Sequence, residues 1–325
     1  MALKTIIILI NLNDTLVIGI SATALFDLSE SDKLFKKEYK QNPDTAIATY
    51  RKYMLENENI TLSEGIGYPL VKALLSLNRY QEKDKTPLVE VIIMSRNSPD
   101  TGIRVLNTIK KLGLNITRSA FTAGESSADY LEAFDVDLFL TTDESDAQKV
   151  IDSGVCASAI LSTPPEYKCD IPDGQVRIAF DGDAVLFDET SELVYKEKGM
   201  QAFHDNEEKA QNIPMKEGPF ATFLKKLATL QDRLPMKMEF SPIRIAIVTA
   251  RNAPSDLRVI KTLRHWGVYV DEAFFLGGLE KSKILKSFKA HIFFDDQDVH
   301  LKNSSLVVPS GKVLYPSYSK LKTNN

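Results

Sequence analysis

The sequence predicts an α/β protein made of two similar parallel-sheet halves, and three observations predict it. The chain contains itself twice: VIIMSRNSP at residues 91–99 returns as AIVTARNAP at residues 246–254. Apolar strand-like runs alternate with amphipathic helical stretches in each copy, the pattern of a parallel sheet covered by helices. Each copy also holds a mostly helical insert between its first strand and its Arg-Asn-x-Pro strand. A repeat of roughly half the chain is far longer than a solenoid period, so it marks duplicated domains rather than an array.

The elements follow in the same order in each copy. The opening strand and what comes after it, Ile18 to Ser31, parallel Ile178 to Ser191. After Arg-Asn-x-Pro comes a helix, Arg104 to Ile109 against Arg258 to Leu263, with Gly113 or Gly267 just beyond it. Glycine is the residue that helix C-termini prefer. Ala120 to Gly124 matches Phe274 to Gly278, and each copy closes on a buried-looking strand, Asp137 to Leu140 and His291 to Phe294. The halves are residues 1–163 and 164–325, joined by a linker from Ser162 to Gln175 that carries Pro164, Pro165, Pro172 and Gly174. The second insert runs from Asp188 to Ser241, with a charged stretch His204 to Lys209 and an amphipathic helix around Phe220 to Leu230. An insert after the first strand sits above the carboxyl edge of the sheet, where open parallel sheets bind ligands, and reads as a cap.

Bulk properties exclude several classes. The chain has 325 residues, a formal net charge of −4, 43% hydrophobic and 26% charged residues, ordinary for a soluble globular protein. No basic footprint suggests nucleic acid, and no polybasic patch suggests a membrane surface. The apolar run Thr5 to Ile10 is too short to span a bilayer and lacks the flanks of a signal peptide. Cys156 and Cys169 belong to no CxxC pair and read as plain thiols of a reducing cytoplasm.

The chemistry concentrates in AFDGDAVLF, residues 179–187. A strand that runs into Asp181-Gly182-Asp183 needs a reason, because carboxylates form strands poorly and are costly to bury unpaired. Thr249 ends the next strand of this copy, Lys281 opens the helix after Gly277-Gly278, and Asp295-Asp296 end the strand of Ile292, Phe293 and Phe294. A parallel sheet brings all of these to one edge. Phosphoryl transfer requires such a set. Asp181 is the candidate nucleophile and Asp183 the candidate general acid and base. Mg²⁺ is assigned to Asp181, Asp295 and Asp296, with Asp183 contributing its backbone carbonyl. Thr249 and Lys281 are assigned to phosphate oxygens, with Lys283 as the alternative lysine, helped by backbone N–H groups around Gly182.

This order of DxDx[TV], Thr, Lys and Asp-Asp resembles the haloacid dehalogenase superfamily of phosphohydrolases. FDGDAVLF, Val248-Thr249-Ala250-Arg251 and His291 to Gln297 are similar to the cytosolic 5′-nucleotidases of type I, as are Ala24-Leu25-Phe26-Asp27 and Leu263 to Gly267. The resemblance runs from about Val17 to Pro316. It implies two haloacid dehalogenase-like halves and Mg²⁺-dependent hydrolysis of nucleoside 5′-monophosphates, AMP prominently. It also implies activation by ADP, as in the mammalian members. Two other readings are a phosphatase for another small phosphomonoester and a non-catalytic nucleotide-binding regulator.

The first copy lacks the chemistry. Ser21-Ala22-Thr23 stands opposite the Asp-Gly-Asp, give or take a one-residue slip; Met94 or Ser95 stands opposite Thr249, Ser127 opposite Lys281, and Thr141-Thr142 opposite Asp295-Asp296. This half is either a retained pocket for an ADP-like effector or a scaffold for the catalytic half. Around the catalytic set, Phe187 and Phe203 are placed to stack on a base, although buried packing is the plainer fate of each. His204 and Lys209 in the cap are placed to meet the nucleotide, against the plainer reading of a solvated helix face. Arg251 returns as Arg96, which argues for a bracing role shared by both halves. A homo-oligomer fits duplicated domains, but one chain does not reveal it.

Overall fold

A computed structural model of the protein describes residues 11–83, 85–162, 174–235 and 241–322. The N-terminal apolar run, Cys169 and the three linker prolines lie outside the described residues. Among the described residues ten strands form one sheet: β1 (Leu16–Ser21), β2 (Val89–Ser95), β3 (Arg118–Phe121), β4 (Leu138–Thr141), β5 (Ala157–Ser162), β6 (Val176–Phe180), β7 (Ile243–Thr249), β8 (Glu272–Phe275), β9 (Ile292–Asp295) and β10 (Ser310–Lys312). Their order is β3-β2-β1-β4-β5-β10-β9-β6-β7-β8.

Every neighbouring pair is parallel except β5 and β10, which run antiparallel. The carboxyl ends of β1–β5 therefore lie at one end of the sheet, and those of β6–β10 at the other. The sequence suggested two halves joined by a linker; the structure fuses them edge to edge through β10. That strand has three residues, and no sequence pattern announces it. Gly311 in β10 is there for room. A Cβ on it would lie 2.8 Å from the Phe294 ring and 3.0 Å from the Ala159 Cβ.

Register aligns the halves. Ile18 in β1 pairs with Val91 and Leu138; Ile178 in β6 pairs with Ile245 and Ile292. Counting forward along each strand, Ser21 takes the place of Asp181, Ser95 that of Thr249 and Thr141 that of Asp295. The equivalence needs no slip, and Ser95 rather than Met94 stands opposite Thr249. Gly113 and Gly267 both adopt left-handed φ, 66° and 70°, just past their helices, as the sequence pattern requires.

The central strands are buried on both faces, as parallel strands between helical layers are; β2, for example, is buried throughout. The rings of Phe180, Phe294 and Phe220 join β6, β9 and the helix Ala221–Asp232, at centroid distances of 4.7–6.3 Å. The helix around Phe220 to Leu230 buries Phe223, Leu224, Leu227 and Leu230 and covers the sheet face, because its apolar stripe is too wide to leave in water. The earlier helix of the insert, Thr190–Lys209, meets the loop after β7 through Glu207 and Arg251. The face helices also hold the halves together: Ala221–Asp232 reaches β1, and Tyr68–Ser76 reaches β6.

β9 is pinned at its start. The His291 N–H donates to the Arg177 carbonyl at 2.8 Å, and His291 Nδ1 accepts from the Arg177 N–H at 3.0 Å. Burial, then the nearby Arg177 charge, push the imidazole down to about 4. An unfolded histidine titrates near 6.5. Below that pH the unfolded chain takes up a proton that the folded imidazole refuses, so stability falls as pH drops from about 6.5 towards 4. Between pH 7 and 5 the loss is expected to be about 2 kcal/mol from this group. Urea unfolding at both pH values, in the protein and in His291→Gln, checks it: the variant should lose that part of the pH dependence.

Candidate active site

Asp181 is the first residue beyond β6, its N–H donating to the Phe294 carbonyl of the neighbouring β9 at 2.8 Å. Asp295 ends β9 and Asp296 follows it. Adjacent strands lie about 4.8 Å apart, so the two strand ends bring their carboxylates together. Ligand oxygens of Asp181, Asp295 and Asp296 all lie within 4.8 Å of one another. Lys281, at the start of the helix Lys281–Phe288, reaches between them. Its Nζ lies 2.9 Å from Asp181 Oδ1 and 2.7 Å from Asp295 Oδ2. All four side chains are buried.

Three carboxylates share one ammonium here, and each resists ionisation. Burial is the main cause at every one of them. It pushes Asp181 up to about 6, opposed by Lys281, and raises Asp295 against the same lysine. Asp296 is raised furthest, by burial and then by Asp295. Burial works against the Lys281 charge, but Asp181 and Asp295 overcome it and hold the ammonium well above its ordinary range. Asp296 Oδ2 accepts from the Tyr315 hydroxyl, whereas Oδ1 is buried with no hydrogen-bond partner among the described residues. A buried carboxylate oxygen without a partner is costly. An oxygen-only, acid-rich cluster of this kind fits a hard divalent cation such as Mg²⁺.

The chain turns sharply after Asp181. Ala184 has φ 59°, a left-handed value uncommon outside glycine, and the Phe187 N–H closes the turn on the Gly182 carbonyl at 2.9 Å. Gly182 lies against Thr249: a Cβ there would be 3.3 Å from Thr249 Oγ1. Thr249 ends β7, buried, and its Oγ1 accepts from the Arg251 N–H at 3.3 Å. The turn sends Asp183 away from the acidic cluster, towards Arg251. Arg251 Nε donates to Asp183 Oδ2 at 2.8 Å and Nη2 to Oδ1 at 2.5 Å.

The structure thus brings Asp181, Asp183, Thr249, Lys281, Asp295 and Asp296 to one edge. It separates the two lysines, since Lys283 is exposed one residue past the buried face. The outer candidates fall differently. Phe187 is buried with its ring on Trp266, centroids 5.5 Å apart, and offers no free face to a base. Phe203 lies under the Arg251 guanidinium, 5.2 Å from the ring centroid. His204 Nε2 meets Asn252 Oδ1 at 3.2 Å, so it touches the Arg-Asn-x-Pro loop. Lys209 is exposed at the end of the cap helix.

Three residues escaped the sequence reading. Glu207, fully buried, binds Arg251 Nη1 at 2.5 Å and Arg258 Nη1 at 2.8 Å. Its signal was its spacing: four residues after Phe203, it shares that helix face. Glu192, on the same helix, has its carboxyl raised by burial and then by Asp183. Tyr315 had no signal, since it follows the last strand. Arg251 also differs from its repeat. Arg96 pairs with Asp146 at 2.7 Å and Asp143 at 3.7 Å, because Thr23 stands where Asp183 would. The bracing role is not shared in kind.

The first half holds two adjoining cavities. One, of about 330 Å³, lies at the ends of β1, β2 and β4 and is lined by Ser21, Thr23, Lys36, Arg96, Ser127 and Thr142 among others. Its neighbour, of about 740 Å³, adds Tyr50 and Arg51 from the first insert. Among the described residues no helix is long and apolar enough to cross a membrane.

Known proteins share this arrangement of sequence. A family model described as 5′-nucleotidase matches residues 8–320. Human cytosolic 5′-nucleotidase 1B is 35% identical over 298 residues, covering 90% of this chain and 47% of that protein. The chain therefore spans about half the length of that relative. With the family model matched over nearly its whole length, the chain belongs to the 5′-nucleotidase family.

Proposed function

We propose that the protein hydrolyses nucleoside 5′-monophosphates, AMP-like ones included, to nucleoside and inorganic phosphate through a phosphorylated Asp181. The observation that carries this reading is the buried meeting of Asp181 with Lys281, 2.9 Å away, inside a cluster with Asp295 and Asp296. The human relative is named a cytosolic 5′-nucleotidase, which supports the substrate class and the cytoplasmic setting. The strand order and register support two haloacid dehalogenase-like halves, residues 1–163 and 164–325, the second one catalytic.

In the first step an Asp181 carboxylate oxygen attacks phosphorus. The bond from phosphorus to the 5′ oxygen breaks, and Asp183 gives that oxygen its proton. In the second step Asp183 takes a proton from water. The hydroxide oxygen bonds to phosphorus, and the phosphorus bond to Asp181 breaks. Thr249, Lys281 and the turn N–H groups near Gly182 bind the phosphoryl oxygens. Asp181, Asp295 and Asp296, with the Asp183 backbone carbonyl, are the residues that would hold Mg²⁺. Bound there, it neutralises charge on the transferring phosphoryl group and lets Asp181 ionise.

Phosphate release from a panel of nucleoside 5′-monophosphates and sugar phosphates tests the reading. Turnover should require Mg²⁺, stop with EDTA and favour nucleotides. Asp181→Asn should lower kcat by at least about 10⁴-fold while the protein stays folded by circular dichroism. Preference for sugar phosphates points instead to a general phosphatase, and absence of turnover everywhere to a nucleotide-binding regulator.

The first half is the proposed site of an ADP-like effector. Its cavity has the hydroxyls of Ser21, Thr23, Thr141 and Thr142 where the other half has carboxylates, and Arg96 lines it beside them. In the double variant Arg96→Ala with Thr142→Ala, activation by ADP should disappear while the basal Mg²⁺-dependent rate is kept. Intact activation in that variant makes the first half a scaffold.

A further inference from the structure

Glu207 and Arg251 form a link between the cap helix and Asp183 that the reaction just described does not use. Arg251 is almost wholly buried, at 3% exposure, and its guanidinium serves two carboxylates at once. One edge grips both oxygens of Asp183, at 2.8 and 2.5 Å. The remaining nitrogen, Nη1, holds Glu207 Oε2 at 2.5 Å. Glu207 belongs to the cap helix Thr190–Lys209, and its other oxygen, Oε1, is fixed by Arg258 at 2.8 Å and by the Ser191 hydroxyl at 2.9 Å. Phe203, one turn earlier, supports the guanidinium face. Two arginines and two carboxylates balance in charge, which lets the group lie buried.

A two-pronged grip fixes a carboxylate in orientation as well as position. Lysine cannot reproduce it, because an ammonium is a point charge rather than a planar fork. Asp183 has no helix or strand geometry to hold it, since it sits in the turn that contains left-handed Ala184. Its direction is therefore set by Arg251, and that of Arg251 by the cap.

We propose that Arg251 is a positioning residue that aims Asp183 for proton transfer, and that Glu207 makes this aim depend on how the cap helix is seated. The inference rests on the reading of Asp183 as the acid and base. The substrate's approach beneath the cap and the delivery of its proton thereby become one mechanical event. Arg96 in the first half, with no carboxylate at Thr23, has no such task.

The test uses Arg251→Lys and Glu207→Gln in the full chain, with steady-state kinetics on the best nucleoside monophosphate and thermal unfolding alongside. Both variants should lose at least about tenfold in kcat, inside the 10²–10⁴-fold range of positioned proton transfer, with KM unchanged within about threefold. Adding Arg251→Lys to Asp183→Asn should cost less than about twofold more, because the arginine acts only through that aspartate. Wild-type kcat in a folded Arg251→Lys variant overturns the proposal. So does a full multiplicative loss in the double variant, or a rise in KM without loss of kcat. Should Arg251→Lys fail to fold, Glu207→Gln decides by the same kcat criterion, and its own failure to fold makes the network structural and overturns the proposal. A wild-type protein that turns over no nucleotide refutes the reaction itself, a different outcome from any of these.

Discussion

Lys281 buried between Asp181 and Asp295 is the contact on which the candidate site depends. Its Nζ lies within 3 Å of both carboxylates, and without it three buried acids would stand together with no positive charge. Removing one partner of a buried ion pair costs about 3–5 kcal/mol, because the other charge is left uncompensated. The lysine is held there by fold geometry. β6 and β9 are adjacent and parallel, so their last residues meet, and the helix that Lys281 opens starts beside them. One lysine still leaves the cluster short of positive charge, with Asp296 Oδ1 unpartnered. That shortage is the physical argument for a divalent cation.

The antiparallel pairing of β5 with β10 sets how the two halves relate. It turns their carboxyl edges to opposite ends of one sheet, so the acid cluster and the first-half cavities share no space. Any influence of one upon the other must pass through packed elements. The chain provides a direct connection. The Tyr315 hydroxyl donates to Asp296, and its carbonyl accepts from Gln148 Nε2 at 3.1 Å, on the helix Glu144–Ser153. The same helix carries Asp146, the partner of Arg96. The first half and the acid cluster are therefore joined through one helix and one tyrosine.

Much of this architecture was readable from residue patterns alone. The repeat placed Asp181, Thr249, Lys281 and Asp295 at strand ends or a helix start, and each stands there, because apolar runs and glycine stops are local signals. The readings that failed or stayed open depended on distance through space. Phe187 was open to stacking on a base or to buried packing, and its packing partner, Trp266, lies far along the chain. The helix near Phe220 lies against the sheet, because its aromatic stripe meets Phe180 and Phe294. Glu207 sat in a charged stretch that resembled a solvated face, yet two arginines from the β7 loop and the next helix bury it.

By itself, the sequence determined the α/β class, the internal repeat, the acidic strand ends and the absence of those acids in the first copy of the repeat. Periodicity and residue type carry that information, since each element obeys local rules. Tertiary structure alone decided the joining of the sheet through three-residue β10, the burial of Lys281 among the acids with Lys283 left exposed, and the turn of Asp183 towards Arg251. Those depend on which side chains long-range packing brings within hydrogen-bond reach, and a linear pattern does not encode such distances.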